Sequence, residues 1–531
     1  MTAFRPSLAL ALSVLLAGTA LPAAAQVGGF TLGVAQAAAE NPDIAAFYRG
    51  RDFAGIWTGS DAAAVARRNA FLAVLGEAPL HALPAARFDA EALVARLRAA
   101  TGASARGALE VEMSTLLVDW AQALQNGILD PARVYGANKR EARHVDAPAL
   151  LGDFAASPTP GAFLAALAPR SAEYARLMAA RLDLLDVIAA GGWGPAVGAG
   201  SLAPGDHGAQ VVALRDRLVA MGYLAPSVTA EYDGTIVEAV RRFQETHGLD
   251  ADGVAGGSTI AALNTSPEMR LRAIIVAMER ERWIGPDRGA RHIWVNLADF
   301  HVRLVDDDII TFETRSVIGA TSSDRQSPEF SDLMEYLVLN PSWHVPRSIV
   351  VGEYLPQLQR NPGAVSHIRV IDSQGRVVNR STADFSQFSA RSFPYSMVEP
   401  PSAGNALGVV KFMFPNPWNI YLHDTPSRSL FQREVRAFSH GCIRLQDPRD
   451  FAYALLARQS DDPEGMFNTI LRTGAETRVN LEQPVPVHLD YRTAFVDPDG
   501  QVEYRADIYG RDARVWEALV GAGVAAPGVQ G

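Results

Sequence analysis

One residue type constrains this chain more than any other. Among 531 residues there is a single cysteine, Cys442. No disulfide within the chain can staple any part of the fold, so each domain must be held by its own apolar core. With 48% hydrophobic residues, the material for such cores is present. A length of 531 residues suggests roughly three or four domains. The pattern of elements described below makes the expected class multidomain α+β. A net charge of −10 argues against nucleic acid as the main partner and gives no attraction to anionic membrane surfaces.

The first residues read as an export signal. Arg5 supplies a basic start, Leu8 to Leu16 an apolar stretch, and Ala23-Ala24-Ala25 a small-residue cleavage site, so residues 1–25 are expected to be a signal peptide. The apolar stretch is too short for a membrane span, and no membrane span is expected after cleavage. The expected location is therefore the periplasm. There an unpaired thiol is a liability unless it has a use.

Residues 27–200 read as a helical scaffold. Asp89–Ala100 and Leu109–Gln125 carry helical spacing of apolar residues, with Asp89 a candidate cap and Asn126-Gly127 a stop. Phe47, Tyr48, Phe53 and Trp57 are expected in its core. Residues 202–265 form a compact unit of three short helices. Val211, Leu214 and Leu218 face Ile236, Val240 and Phe243, with Gly222 and Gly248 as stops. Asp250 and Asp252 lack the run of oxygen ligands of a calcium loop and read as a turn, and His207 and His247 as surface or packing residues.

From His292 the apolar period becomes two, which marks a β-rich domain expected over residues 290–475. Asp306-Asp307-Asp308 reads as a hairpin turn. An insertion at residues 344–399 interrupts the domain and opens with a helix, Ser348–Leu358, that Pro356 threatens to kink. Loops of such length are either functional or disordered. A lid over a site is the expectation. Residues 476–531 are expected to be a C-terminal extension with some strand character and a loose last dozen residues.

The chemistry converges on Phe438-Ser439-His440-Gly441-Cys442-Ile443-Arg444-Leu445. A cysteine nucleophile needs a base and a donor for the developing oxyanion. His423 ends an apolar strand in Ile420–Thr425, and adjacent strands would bring it to Cys442. Asp424 is expected to orient the imidazole, by its carbonyl or its side chain. Gly441 allows close backbone approach, and the N–H groups of Gly441 and Cys442 are candidate oxyanion donors. His440 reads as support for the loop. Arg444, two residues past Cys442, falls on the same strand face and can grip a carboxylate. Its bland alternative is a pair with Asp447, which is expected to cap a helix that has Pro448 at its first position.

Ile420–Thr425 and Ser439–Leu445 resemble the active-site signature of the L,D-transpeptidases of the YkuD type. Glu281-Arg282-Trp283, Tyr336–Trp343 with Val345-Pro346, and Pro400–Leu407 resemble the large periplasmic YcbB-like branch. Residues 202–265 resemble the peptidoglycan-binding type 1 domain. Compact members of the family often have Gly where this chain has Asp424.

The resemblance implies a murein L,D-transpeptidase that forms 3→3 cross-links through a cysteine thioester. Tetrapeptide donor stems would lose D-Ala. Cys442 would be the nucleophile and His423 the proton donor and acceptor. Ser439, Tyr421, Trp343 and Arg444 would contact the peptidoglycan stem peptides. No cofactor and no metal are implied, and carbapenem-like lactams would be covalent inhibitors. An L,D-carboxypeptidase, an enzyme attaching a protein to peptidoglycan through the same thioester, and a non-enzymatic wall-binding protein stay open as alternatives.

Overall fold

A computed structural model describes residues 28–286 and 288–525. The expected signal peptide lies outside the described residues. No described helix is long and apolar enough to cross a membrane.

Helices build the region from Gly29 to Ala189. Asp89 caps Ala90–Ala99 by accepting from the Ala92 N–H at 2.9 Å. Tyr48 and Trp57 are fully buried and Phe47 nearly so, as their clustering predicts. Glu110 is buried among them. Its carboxylate accepts from the Trp57 N–H at 2.9 Å and the Thr58 N–H at 2.8 Å, so the charge is met by backbone donors that would otherwise be orphaned.

The next unit consists of Ala209–Ala220, Gly234–Thr246 and Gly257–Leu263. The predicted apolar faces meet, with Val211, Leu214, Leu218, Ile236, Val240 and Phe243 fully buried. Asp252 is a turn residue, as expected. Its Oδ1 accepts from the Val254 N–H and from Gln244 Nε2, each at 2.9 Å.

Helix Pro267–Ile284 follows, with Ser266 as its cap and proline at its first position. It ends in four consecutive charged residues, Glu279, Arg280, Glu281 and Arg282, none more than 3% exposed. Each has a partner from a different part of the chain. Glu279 Oε1 accepts from the N–H groups of Ile128 at 2.7 Å and Leu129 at 2.9 Å. Arg280 binds Glu329 at 2.7 Å and Asp512 at 3.1 Å. Glu281 accepts from Ser171 at 2.6 Å and pairs with Arg492. Arg282 donates to Tyr174 at 2.9 Å and to the His81 carbonyl. Burial pushes the Glu281 carboxyl up, but Arg288 and Arg492 outweigh it and hold it well below the usual carboxylate range.

The β-rich region is a sheet closed on itself. Its strands are β1 (Arg291–Asn296), β2 (His301–Asp306), β3 (Ile309–Gly319) and β4 (Phe330–Leu339). Then come β5 (Trp343–His344), β6 (Arg369–Ile371) and β7 (Ser396–Glu399), which belong to the insertion. β8 (Val410–Met413), β9 (Leu422–His423), β10 (Ala437–Ser439), β11 (Ile443–Leu445) and β12 (Thr477–Asp490) complete the main sheet. Its order is β10-β3-β11-β9-β8-β4-β12-β1-β2, and β2 also pairs with β3. Asp307 and Asp308 take positive φ, 49° and 64°, as a two-residue hairpin turn between β2 and β3 requires. The interior is filled by residues such as Val295, Leu337, Phe412 and Val487, and helices Pro448–Leu456 and Pro463–Arg472 cover one side with Phe451 and Phe467.

Two expectations are corrected. The sheet does not stop at residue 475, because β12 lies between β1 and β4. Nor are residues 476–531 an appendage. After β12 comes the hairpin of β13 (Ala494–Val496) and β14 (Val502–Tyr504), then helix Arg511–Gly521. Arg511 pairs with Glu329 at 2.7 Å, and Val524 is buried although it falls in the stretch expected to be loose.

The insertion is an ordered unit. β5, β7 and β6 form a small sheet, and Ile349, Val350, Leu358, Val370 and Phe385 give it a core of its own. Its helix runs from Arg347 to Arg360, with a π turn at Val350–Tyr354 just ahead of Pro356. The wider turn absorbs the proline where a kink was expected.

Arg280→Ala would leave Glu329 and Asp512 as buried acids short of a partner. The expected cost is about 3–5 kcal/mol, read as a lowered urea midpoint. An unchanged midpoint would contradict the reading of Arg280 as a central tie.

Candidate active site

β9 and β11 run parallel, with Leu422 opposite Ile443 and His423 opposite Arg444. Leu422, Ile443 and Leu445 are fully buried in the closed sheet. Strand alternation therefore sends Tyr421, His423, Cys442 and Arg444 to the other face. The ring of Tyr421 lies 5.6 Å from that of His423.

His423 is buried. Its Nδ1 lies 2.5 Å from the Asp424 carbonyl oxygen. A carbonyl only accepts, so this contact assigns the proton to Nδ1 and leaves Nε2 with a free lone pair. Burial holds the imidazole down to about 3, with Arg444 and Lys411 adding to the effect. Of the two routes open for Asp424, the carbonyl is the one used. Its side chain is occupied elsewhere: Oδ1 accepts from the Thr425 N–H and from Arg428, each at 2.7 Å, and Oδ2 from the Val409 N–H at 2.8 Å. The carboxyl packs so closely on Gly408 that a Cβ there would come within 2.2 Å of it.

Cys442 is half-buried, and its Sγ lies 3.5 Å from the Asn419 carbonyl. Burial pushes the thiol up to about 11 in spite of hydrogen bonding from Tyr421 and the charge of Arg444. The resting site thus holds a neutral thiol and a neutral imidazole. Its sulfur contact goes to Asn419 and the imidazole contact to Asp424, so the register places His423 and Cys442 on one face without a direct bond between them.

The loop is folded tightly around the thiol. Ser439 Oγ donates to the Cys442 carbonyl at 2.5 Å and accepts from the Gly441 N–H at 3.1 Å. Ser327 Oγ donates to the Gly441 carbonyl at 2.7 Å. Gly441 has φ 116°, which a residue with a side chain rarely adopts. Ser439 is buried and clasps the loop from inside. His440 Nε2 lies 2.6 Å from Glu353 of the insertion.

Arg444 is mostly buried, and its Nε has no hydrogen-bond partner. Asp447 does not take it up. The Asp447 carboxylate accepts from Thr314 at 2.9 Å, and it makes no side-chain cap on helix Pro448–Leu456, contrary to the expected cap. Trp343, on β5, is one of the groups acting on the Tyr421 hydroxyl and packs edge-on against Tyr354 at 6.3 Å.

Residues 290–479 match the family model of the L,D-transpeptidase catalytic domain, YkuD. The chain carries an L,D-transpeptidase catalytic domain. Residues 207–263 match the "Putative peptidoglycan binding domain" model and residues 42–180 a scaffold domain model. A Haemophilus influenzae protein named "Putative L,D-transpeptidase" is 31% identical over 225 residues, 42% of this chain and 45% of its own length. The chain thus spans about half the length of that relative. Among solved structures, the Xylanimonas cellulosilytica L,D-transpeptidase is 16% identical over 56% of this chain and 99% of its own, with a TM-score of 0.18. The Stackebrandtia nassauensis L,D-transpeptidase is 13% identical over 56% of this chain and 98% of its own, with a TM-score of 0.21.

The L,D-transpeptidase domain gathers His423, Asp424, His440, Gly441, Cys442 and Arg444 with Ser439, Tyr421 and Trp343. Sequence reasoning missed Asn419, Ser327, Arg325 and Glu353. The only local signal was the acid Glu353 within the apolar run of the insertion helix, and its partner His440 is 87 residues away.

Because the thiol is protonated below about 11, its thiolate fraction grows roughly tenfold per pH unit up to that value. Alkylation of the free protein by iodoacetamide, followed by mass spectrometry, should rise steadily from neutral pH toward that value. A plateau near neutral pH would mean a resting thiolate–imidazolium pair instead.

Proposed function

We propose that the protein is an extracytoplasmic, exported cysteine L,D-transpeptidase that forms 3→3 peptidoglycan cross-links. One observation carries the reading. The only thiol of the chain shares a strand face with an imidazole whose Nε2 is left unprotonated, inside an L,D-transpeptidase domain joined to a peptidoglycan-binding domain.

In this reading the donor stem enters between the insertion and the Cys442 loop, and Arg444 holds a stem carboxylate. Tyr421 and Trp343 border the donor. As sulfur approaches the carbonyl of residue three, the thiol proton passes to His423 Nε2. The imidazolium so formed is disfavoured by burial, so it gives the proton up readily. The S–C bond forms and the carbonyl becomes an oxyanion, held by the Cys442 N–H. The Gly441 N–H joins it on leaving Ser439 Oγ. His423 then protonates the amine of D-Ala, the C–N bond breaks, and a thioester remains. The side-chain amine of a second stem loses its proton to His423 and attacks the thioester. An amide forms and the thiol is restored. Water or a protein lysine in place of that amine gives the carboxypeptidase and anchoring alternatives. Carbapenem-like lactams would acylate the same sulfur.

Incubation with tetrapeptide-rich sacculi, followed by muropeptide mass spectrometry, tests the reading. The wild type should yield 3→3 dimers, and Cys442→Ser none while keeping its melting temperature. His423→Ala should lose at least about a hundredfold in rate, the usual scale of a general base. Tripeptides without dimers would favour the carboxypeptidase. Dimers made by Cys442→Ser at the wild-type rate would end the assignment.

The domain at 207–263 is proposed to raise the local concentration of substrate. Deleting residues 202–265 should weaken pelleting with sacculi more than it slows acylation of Cys442 by a small lactam. Equal pelleting by a folded deletion variant would remove the targeting role.

A further inference from the structure

Three segments far apart in sequence meet at one oxygen atom. Glu353 Oε1 lies 2.6 Å from His440 Nε2 and 2.7 Å from a guanidinium nitrogen of Arg325. His440 precedes Gly441 and Cys442 in the cysteine loop. Arg325 belongs to the β3–β4 connection, which also supplies the Ser327 hydroxyl that holds the Gly441 carbonyl at 2.7 Å. The backbone of that connection lies under the loop, since a Cβ on Gly441 would meet the Arg325 carbonyl oxygen at 3.9 Å. Glu353 itself belongs to the insertion.

The position of Glu353 within the insertion adds a second contact. It lies in the π turn Val350–Tyr354. The next residue, Tyr354, packs edge-on against Trp343 at 6.3 Å, and Trp343 and the Cys442 thiol are both among the groups that act on the Tyr421 hydroxyl. Two consecutive residues of one turn therefore reach the thiol's surroundings by two routes, Glu353 through His440 and Tyr354 through Trp343 and Tyr421.

We infer that Glu353 is a positioning residue. It fixes the cysteine loop through His440, so that docking of the insertion and order at Cys442 are one coupled equilibrium. The side chains of Glu353, Arg325 and His440 are each about a third exposed, at 34%, 38% and 33%. An ion pair with that much water around it adds little to global stability. Its effect falls on the balance between a docked and a released insertion, which a small free energy can shift. The inference rests on the transpeptidase reading for its consequence in cross-linking, but the contact can be tested on sulfur alone.

The test uses the full chain, in which an alkylating reagent reports on Cys442 and no other residue. Iodoacetamide rates are measured for wild type, Glu353→Ala, Glu353→Gln, His440→Ala and the Glu353→Ala/His440→Ala double variant, each with its melting temperature. The expected result is a rate about two- to fivefold above wild type for each alanine variant, the range that an exposed pair supports. The double variant should be no faster than either single one, because both remove the same contact. Glu353→Gln keeps an acceptor oxygen and should return toward wild type. If Glu353→Ala fails to fold, His440→Ala removes the contact from the other side and carries the test. A wild-type rate in the alanine variants, additive effects in the double variant, or a glutamine variant as fast as the alanine one would each overturn the inference. No stem peptide takes part, so a protein that failed to cross-link sacculi would still give these rates.

Discussion

Everything in this molecule leans on the last turn of helix Pro267–Ile284, where four adjacent charged side chains are withdrawn from water. Burying a charge is costly unless a partner of opposite sign is in place with good geometry. Here Glu279 and Arg282 pair with each other at 2.9 Å, and the other partners come from three regions: Ile128, Leu129 and Tyr174 of the helical scaffold for Glu279 and Arg282, Glu329 just before β4 for Arg280, and Arg492 after β12 for Glu281. An apolar core tolerates sliding between its layers. This set of pairs does not, because a shift of a few ångströms strands several charges together. The helix therefore sets the register between scaffold, closed sheet and C-terminal segment. Glu329 extends that register toward the site, since Ser327, two residues before it, holds the Gly441 carbonyl.

The site makes the same use of burial at smaller scale. Burial keeps both Cys442 and His423 uncharged at rest. Such a pair reacts only slowly with solvent electrophiles, and in the proposed reaction the sulfur gives its proton to Nε2 as it attacks the bound carbonyl. The Asp424 carbonyl selects the tautomer that the proposed transfer needs, while the Asp424 carboxylate ties the strand end to Val409 and Arg428. That division of labour explains how an aspartate is accommodated there.

Much of this was legible in the sequence, and the reason differs from element to element. The helical scaffold and the three-helix unit announce themselves by local apolar spacing and capping residues such as Asp89. The period-two run after His292 announces β1 to β3. The adjacency of β9 and β11 was expected from two short strands and a distinctive motif, but not that they run parallel, which sets Tyr421 and Cys442 on one face. Long-range contacts leave no such trace. Residues 480–510 read as strand-like, but nothing in them says that β12 is inserted between β1 and β4. The insertion was expected as a lid with one helix, whereas its core draws on Ile368, Val370 and Met397, far from that helix in sequence. Asp447 looked like a cap because Asp-Pro commonly begins a helix, but Thr314 on a neighbouring strand takes its carboxylate.

The place of β12 also governs when the site can come into being. β1 pairs with it at Ile293 and Val487, nearly two hundred residues apart, and Arg140 of the scaffold donates to the Leu489 carbonyl. A ribosome delivers the chain from the first residue onward, so His423 and Cys442 emerge before the strand that completes their sheet. Contacts of that separation also form slowly, since a long loop must be closed before any of them is made. The site is thus made early and assembled late. A thiol that joins the face of His423 only after some 490 residues have been synthesised passes through most of synthesis as an ordinary cysteine.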